Sequence, residues 1–231
     1  MKLFIDTALP EHVEKYYDMG LIEGVTTNPK IFVKSGGRYQ DYLATVEELC
    51  SFGPIPVSVE LTGVHKYPID YLVAEAEELS EIDHNINIKV PLFVNKYGTG
   101  LEVMRLLHDI DVTVNATCLM SAYQGILCAK MGAEYISLFY RRMCDTSTQS
   151  ETIREFTMLK EFLKQQVGDK EIIAGSIRAP EDVTECFHAG ADIVTVTPEI
   201  LEKMITHERT ESTIEEFEEE WEKFRTGRTG G

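Results

Sequence analysis

The chain has 231 residues, 43% of them hydrophobic, and a formal net charge of −17 from 39 acidic and 22 basic residues. A field of this sign repels phosphate backbones, which argues against a nucleic-acid partner. No apolar run is long enough to cross a membrane, and five cysteines without a CxxC pair favour a reduced, cytoplasmic protein.

Short apolar, β-branched runs alternate with longer amphipathic stretches along the chain. The runs predicted to be strands are residues 2–6, 24–28, 56–61, 86–92, 111–115, 135–140, 171–176 and 192–197. They are apolar almost throughout, as buried parallel strands are. Because an open doubly wound sheet would need fewer strands, the pattern predicts an α/β protein with one (β/α)₈ barrel domain, a TIM barrel.

Helical patterns lie between these runs and extend beyond the last of them. Residues 67–79, 121–131, 151–166 and 199–207 are predicted to be helices packed around the barrel. An extra acidic helix is predicted over residues 208–226, clearest in 215–225, where Phe217, Trp221 and Phe224 share one face. That face is available to cover its own barrel or a neighbour. Residues 227–231 are predicted to form a flexible tail.

Polar residues at strand ends are the first candidates for catalysis, because barrels of this kind hold catalytic side chains there. Lys89 lies inside the apolar run INIKVPL. Burial disfavours a charged ammonium group and would leave an amine able to attack a carbonyl. A structural lysine paired with a carboxylate is the alternative.

Further polar residues end other strands. Asp6 and Glu60 are candidates for proton transfer, although Asp6 is equally suited to cap the following helix. Asn115 and Thr117 could hold a water molecule or a substrate hydroxyl, with ordinary strand-end hydrogen bonding as the alternative.

Basic residues follow two of the later strands. Arg141 and Arg142 come after residues 135–140, while Ser176 and Arg178 follow the run EIIAG. Guanidinium groups match phosphate oxygens, and barrels bind phosphate beside their later strands, which favours Ser176 and Arg178 as a phosphate site. A surface ion pair is the alternative for Arg141. The histidine spacing supports no metal site, and no glycine-rich nucleotide loop occurs, so we expect no cofactor.

Several segments, taken in chain order, resemble the transaldolase family and in particular its small members related to fructose-6-phosphate aldolase. They are FIDTA, GVTTNP, VSVE, IKVP, VNAT, QGILCAKMGAEYIS and AGSIR, which together span nearly the whole chain. The resemblance implies a cofactor-free (β/α)₈-barrel enzyme of the pentose phosphate pathway. It also implies transfer of a dihydroxyacetone unit between phosphorylated sugars through a Schiff base.

The resemblance also implies roles for particular residues. Lys89 is similar to the Schiff-base lysine, Asp6 to the acid that handles the hydroxyl proton, and Glu60 with Thr117 to the pair that holds a catalytic water. The residues implied to contact substrate hydroxyls are Thr27, Asn28 and Asn115. The residues implied to bind phosphate are Arg142, Ser176 and Arg178.

Two positions bear on which activity within the family is expected. Transaldolases have Glu where this chain has Glu60, whereas the aldolases have Gln there and Tyr in place of Phe139. Both positions therefore favour transfer over free aldol cleavage. Lys30, Leu138 and the YRRM segment at 140–143 depart from the family pattern, which leaves the acceptor preference open.

Two other functions remain as alternatives. A fructose-6-phosphate aldolase would release free dihydroxyacetone, and a non-catalytic barrel would bind a sugar phosphate without forming an imine. Small members of the family form rings and decamers, so we expect a homo-oligomer, a pentamer or a decamer, with the C-terminal helix reaching a neighbour.

Overall fold

Eight parallel strands close into a barrel in the computed structural model, which describes residues 1–227. In chain order they are β1 (Lys2–Asp6), β2 (Val25–Thr26), β3 (Val57–Glu60), β4 (Ile86–Pro91), β5 (Val114–Leu119), β6 (Tyr135–Phe139), β7 (Glu171–Gly175) and β8 (Ile193–Val196). Each strand pairs with the next, and β8 pairs with β1 to close the ring. The predicted (β/α)₈ barrel is confirmed.

Helices connect and surround these strands. They are α1 (Pro10–Asp18), α2 (Pro29–Lys34), α3 (Tyr42–Cys50), α4 (Ile69–Ser80), α5 (Gly100–Asp109), α6 (Ala122–Lys130), α7 (Tyr140–Cys144), α8 (Gln149–Gln166), α9 (Pro180–His188), α10 (Pro198–Ile205) and α11 (Glu208–Arg225). Local sequence sets several of their starts: Thr99 and Thr148 form capping boxes at α5 and α8. No helix within residues 1–227 is long and apolar enough to cross a membrane.

The two faces of the barrel strands carry different residues, because successive side chains of a strand point in opposite directions. Outward side chains such as Val57, Val59 and Ile88 belong to the main hydrophobic core between the sheet and the helices. Inside the barrel, a separate apolar cluster is formed by Phe4, Ile173 and Ile193, with Tyr135 packed against it. The other inward positions are mostly polar. Their side chains line a hydrophilic space inside the barrel, which we call the chamber.

Strand β5 lies further along the chain than the predicted range of 111–115. Asp111 has a φ of 59° and lies in the turn before the strand, which continues from Val114 to Leu119. Asn115 and Thr117 are buried strand residues and do not follow its end. Small polar residues are unusual within buried strands, which is why the sequence pattern ended the strand too early. An irregularity at Cys118, whose φ is 62°, interrupts the pairing with β6.

The extra C-terminal helix is confirmed, and α11 falls within the predicted range of 208–226. None of its residues is buried, and its aromatic side chains stay exposed: Phe217 at 69%, Trp221 at 64% and Phe224 at 69%. The helix therefore does not bury its aromatic face on its own barrel. The predicted flexible tail, 227–231, lies outside the described residues except for Gly227.

Candidate active site

Lys89 points into the barrel from β4 and is only 5% exposed. Its Nζ donates a hydrogen bond to the backbone carbonyl of Thr27 at 2.9 Å and lies 3.7 Å from Oε2 of Glu60. The strand register explains this pairing, since Glu60 on β3 is directly beside Lys89 on β4. A buried amine without such partners would be costly. The lysine is thus paired with a carboxylate that is itself a candidate for proton transfer.

Glu60 is a mostly buried carboxyl group. Burial raises its pKa above the usual range, the charge of Lys89 opposes that rise, and nearby Asp6 adds to it. Arg142 is also close enough for its charge to lower the pKa of Glu60. A carboxyl group with a raised pKa can give and take a proton more readily near neutral pH than an exposed glutamate can.

Asp6 lies at the end of β1, beside Thr26 of β2 in the strand register. Thr26 Oγ1 donates a hydrogen bond to Asp6 Oδ1 at 2.8 Å and lies 2.6 Å from Thr195 Oγ1. Because a hydroxyl has one proton, Thr26 can donate to Asp6 only if it accepts from Thr195. The two threonines thus form a chain of hydroxyls that ends on the carboxylate.

The environment of Asp6 also affects its pKa. Burial raises the pKa, whereas the charge of Lys89 and the hydrogen bond from Thr26 lower it. The helix-cap alternative for Asp6 is wrong, because α1 begins at Pro10 and its cap position is Leu9. The side chain is therefore directed to the barrel interior and not to a helix end.

Asn115 and Thr117 continue the polar chamber from β5. Asn115 lies beside Lys89 in the register; its Nδ2 donates to Ser58 Oγ at 3.0 Å, and its Oδ1 accepts from Ser137 Oγ at 2.7 Å. These two bonds fix the orientation of the amide. Thr117 Oγ1 is buried and has no hydrogen-bond partner within residues 1–227. A buried hydroxyl of this kind is suited to a water molecule or a substrate oxygen.

Thr27 and Asn28 follow β2 at the edge of the same chamber. Thr27 is buried, and its hydroxyl donates to the backbone carbonyl of Ser58 at 2.9 Å. Asn28 caps α2, with its Oδ1 accepting from the backbone N–H of Ile31 at 3.1 Å. Thr27 therefore meets Lys89 through its backbone, and both polar side chains also have structural roles.

Arg142, Ser176 and Arg178 follow β6 and β7 on the opposite side of the barrel mouth. The guanidinium of Arg142 lies over the ring of Phe139, with 5.2 Å between its Cζ and the ring centroid. Ser176 adopts a φ of 61°, uncommon for a residue other than glycine and frequent at functional sites. Arg178 pairs through both terminal nitrogens with the carboxylate of Asp145, at 2.7 and 2.6 Å.

Arg141 differs from these three residues. Its guanidinium pairs with the carboxylate of Asp182, which also accepts hydrogen bonds from the backbone N–H groups of Arg178 and Ala179. The ion-pair alternative for Arg141 is confirmed, although its partner is fully buried and not on the surface.

The positions that depart from the family pattern lie mostly away from the chamber. Leu138 points outward into the main core, and Lys30 is exposed at the start of α2. Within the YRRM segment, Tyr140 and Met143 are buried in the core, whereas Arg142 is exposed. Arg142 is thus the residue of that segment that can meet a ligand.

The sequence analysis missed a group of inward-facing polar residues. They share a buried position inside the barrel and are Thr26, Ser58, Asn87, Ser137 and Thr195. The runs were interpreted as almost continuously apolar, yet VSV, INI, ISL and VTV place Ser58, Asn87, Ser137 and Thr195 between two aliphatic residues. This alternation with a period of two was the signal that could have found them.

Within residues 1–227, the structure thus brings together a buried lysine, two carboxyl groups of raised pKa and a threonine hydroxyl without a hydrogen-bond partner. An amine next to proton-transferring carboxyl groups is chemically able to attack a carbonyl group. No cluster of three or more His, Cys, Asp or Glu side chains that could hold a metal ion occurs in the described part of the chain.

Comparisons with known proteins place the chain within a family. The sequence model of the transaldolase/fructose-6-phosphate aldolase family matches residues 3–228. A protein of Brachyspira hyodysenteriae named "probable transaldolase" is 38% identical over 96% of this chain and 98% of its own length. A "probable transaldolase" of Caldicellulosiruptor saccharolyticus is also 38% identical, with the same coverage of 96% and 98%. The chain belongs to the transaldolase/fructose-6-phosphate aldolase family.

A comparison of structures agrees on the fold. The solved structure of thiamine phosphate pyrophosphorylase from Pyrococcus furiosus superposes with a TM-score of 0.56 over 85% of each chain, at 11% sequence identity. Identity this low supports a shared barrel and nothing about the reaction. The resemblance to the transaldolase family is confirmed by the sequence comparisons, which indicate an enzyme of the transaldolase and aldolase group.

Proposed function

We propose that this protein is a transaldolase that transfers a dihydroxyacetone unit from a ketose phosphate to an aldose phosphate through a Schiff base on Lys89. The observation that carries the proposal is the placement of Lys89 Nζ, 3.7 Å from Glu60 and on the same chamber wall as Asn115. Sedoheptulose 7-phosphate or fructose 6-phosphate is the expected donor. Erythrose 4-phosphate or glyceraldehyde 3-phosphate is the expected acceptor, as in the pentose phosphate pathway.

The first step is formation of the imine. The amine of Lys89 attacks C2 of the ketose, and the resulting carbinolamine loses its hydroxyl as water. Glu60 donates the proton that this departure requires, through a water molecule held between its carboxyl group and the hydroxyl of Thr117. The raised pKa of Glu60 supports this role, because the group must be protonated for part of the cycle.

The second step breaks the C3–C4 bond. Asp6 takes the proton of the C4 hydroxyl, the C4–O bond becomes a carbonyl, and the electron pair of the C3–C4 bond moves into the protonated imine. The aldose phosphate leaves, and an enamine of dihydroxyacetone stays on Lys89. An acceptor aldehyde then reacts with the enamine, Asp6 returns its proton, and hydrolysis frees the new ketose. Covalent storage of the transferred unit predicts ping-pong kinetics.

Residues around the chamber supply the substrate contacts in this proposal. Thr27, Asn28 and Asn115 bind hydroxyl groups of the sugar chain, and the fixed amide of Asn115 supports that role. Across the barrel mouth, Arg142, Ser176 and Arg178 bind the phosphate group. Arginine groups at the end of a barrel suit a phosphate, even though the chain as a whole is acidic.

Transfer is favoured over free aldol cleavage for a chemical reason. Phe139 lies beside Arg142 at the end of β6 and offers no hydroxyl group, whereas Glu60 provides an ionisable acid. A charged Glu60 can activate the water used in imine formation and hydrolysis without a tyrosine. An aldolase would instead have to hydrolyse its enzyme-bound dihydroxyacetone rapidly when no acceptor is present.

We also infer a homo-oligomer, a pentamer or a decamer, in which α11 docks on a neighbouring barrel. The exposed side chains of Phe217, Trp221 and Phe224 support this inference, because so large an apolar stripe is unusual on the surface of a monomer. Sedimentation of a single 26.2 kDa species would contradict it.

Trapping of the covalent intermediate tests the proposed reaction. The protein is incubated with fructose 6-phosphate, reduced with borohydride and weighed by mass spectrometry, beside Lys89→Ala and the surface control Lys15→Ala. A dihydroxyacetone adduct on Lys89, present in the control and absent from Lys89→Ala, is expected. Without any adduct, the chain would be a binding barrel.

A second arm separates transferase from aldolase. Erythrose 4-phosphate is added with fructose 6-phosphate, and sedoheptulose 7-phosphate is followed together with free dihydroxyacetone. A transaldolase makes sedoheptulose 7-phosphate and releases little dihydroxyacetone. Rapid release of dihydroxyacetone without the acceptor would instead identify an aldolase.

A further inference from the structure

Asp145 lies directly after α7, where it ends that helix as its cap residue. Its Oδ1 and Oδ2 accept hydrogen bonds from Nη1 and Nη2 of Arg178, at 2.7 and 2.6 Å. The two groups therefore meet in a bidentate arrangement. A phosphate group binds an arginine through the same two donors, so the carboxylate and a phosphate would compete for them.

Other arginines act on the same carboxylate. The hydrogen bond from Arg178 lowers the pKa of Asp145, and the charges of Arg178, Arg142 and Arg141 lower it further. Asp145 is accordingly ionised at neutral pH, and the positive charge of Arg142 acts on it in addition to the direct pairing with Arg178. A negative group thus already lies among the arginines to which the substrate phosphate is assigned.

We propose that Asp145 is a built-in competitor of the substrate phosphate, which weakens the binding of phosphorylated sugars relative to unphosphorylated ones. The proposal rests on the assignment of the phosphate site to Arg142, Ser176 and Arg178. A phosphate that approaches Arg178 must displace a carboxylate and meets its repulsion while it does so. Asp145 therefore sets how strongly the enzyme prefers a phosphorylated substrate.

The exposure of the pair makes this exchange feasible. The side chains of Arg178 and Asp145 are 52% and 51% exposed, so they can separate without opening the core. The neighbouring pair of Arg141 with Asp182 has a fully buried carboxylate and holds the loop after β7. The buried pair is structural, whereas in the half-exposed pair Arg178 can leave Asp145 and bind a ligand instead.

The test compares Asp145→Asn with Asp109→Asn. Asp109 forms a similar surface pair with Arg105, at 2.8 Å and with 56% and 46% exposure, but it lies at the end of α5, which leads into the opposite end of the barrel. Binding of inorganic phosphate is measured by calorimetry at low ionic strength. KM is measured for fructose 6-phosphate and for fructose, each with erythrose 4-phosphate as acceptor.

Loss of the competing charge should tighten phosphate binding and lower KM for fructose 6-phosphate by about two- to fivefold, the effect expected of a half-exposed ion pair. KM for fructose should change less, and Asp109→Asn should change neither. High salt should shrink the difference between the native protein and Asp145→Asn, since salt screens exposed charges.

Two outcomes would overturn the proposal. Unchanged phosphate binding in Asp145→Asn would mean that the carboxylate does not compete. Weaker binding would mean that Asp145 orients Arg178 productively. The calorimetry requires no turnover, so failure of this proposal is separable from failure of the transaldolase proposal, which the borohydride adduct on Lys89 decides.

Discussion

The two faces of strand β4 carry different kinds of side chain, as the neighbouring residues Ile88 and Lys89 show. Ile88 points outward and is wholly buried among the aliphatic side chains of the main core, whereas Lys89 points inward, where its Nζ contacts the carbonyl oxygen of Thr27 and the carboxyl group of Glu60. The same division holds for β3, where Val57 and Val59 face the helices and Ser58 and Glu60 face the chamber. One face of the strands therefore packs the core, and the other carries the candidate catalytic residues.

The inner face includes features that would be unfavourable in an ordinary core. Thr117 Oγ1 and Asn87 Nδ2 are buried without a hydrogen-bond partner in the described residues, and two carboxyl groups there have raised pKa values. Stable cores satisfy such groups or exclude them. The outer face, by contrast, is aliphatic throughout β3 and β4, so it offsets the cost of a polar interior.

The largest effect should come from the inner face, in the variant Lys89→Met. Methionine fills the volume of the lysine but removes its amine, so no imine can form. Turnover of fructose 6-phosphate should fall on the order of a thousandfold or more, as for loss of other covalent nucleophiles. Steady-state rates and circular dichroism measured together check this, and a folded variant with native turnover would contradict the division of roles.

The neighbouring outer-face variant, Ile88→Ala, should show the reverse behaviour. Truncation of a fully buried isoleucine costs about 2 to 5 kcal/mol of unfolding free energy, because it leaves a cavity. Urea unfolding measures that loss. The folded fraction should turn over within about twofold of the native rate, since the side chain of Ile88 belongs to the outer core and carries no polar group. A large loss of rate without loss of stability would contradict the assignment of the outer face to packing alone.

The outer face was also the part that the sequence predicted well. Strands are recognised by their aliphatic runs, and all eight were found, because β-branched residues such as Val57 and Ile136 recur at regular intervals. The four barrel helices given a range, 67–79, 121–131, 151–166 and 199–207, correspond to α4, α6, α8 and α10, whereas the other helices were expected only as helical patterns between strands. The exception was β5, whose range was predicted too early in the chain because Asn115 and Thr117 are polar. Their burial depends on neighbouring strands that are distant in sequence, and no local pattern reports it.

The inner face was predicted less completely. Lys89, Asp6 and Glu60 were singled out because charged residues within or at the end of apolar strands are conspicuous, and the roles expected of them came from the resemblance to the family. The chain of Thr195, Thr26 and Asp6 was not found, because its members are 20 and 169 residues apart along the sequence. Only closure of the barrel brings β8 next to β1 and makes that contact.

A smaller effect is expected for Thr26→Val, which removes the hydroxyl that donates to Asp6. That hydrogen bond favours the ionised carboxylate and lowers its pKa, whereas burial raises it. Loss of the bond should therefore raise the pKa of Asp6 further. Since Asp6 must be ionised to take a proton, the acidic limb of the kcat/KM profile should move to higher pH. An unchanged acidic limb would mean that Asp6 does not take part in the rate-limiting proton transfer.

The smallest effect is expected for Thr195→Val, which removes the hydroxyl that donates to Thr26. Thr26 can then still donate to Asp6 but loses its own donor, so the bond to the carboxylate weakens without disappearing. The acidic limb should move in the same direction as in Thr26→Val and by less, and Thr195→Ser should restore the native profile. If Thr195→Val caused only a packing defect, it would lower the free energy of unfolding and leave the acidic limb at its native pH. A larger shift of the acidic limb in Thr26→Val than in Thr195→Val would therefore indicate that the two hydroxyls act as a chain. An equal shift in both variants would show that Thr26 does not keep its hydrogen bond to Asp6 without Thr195.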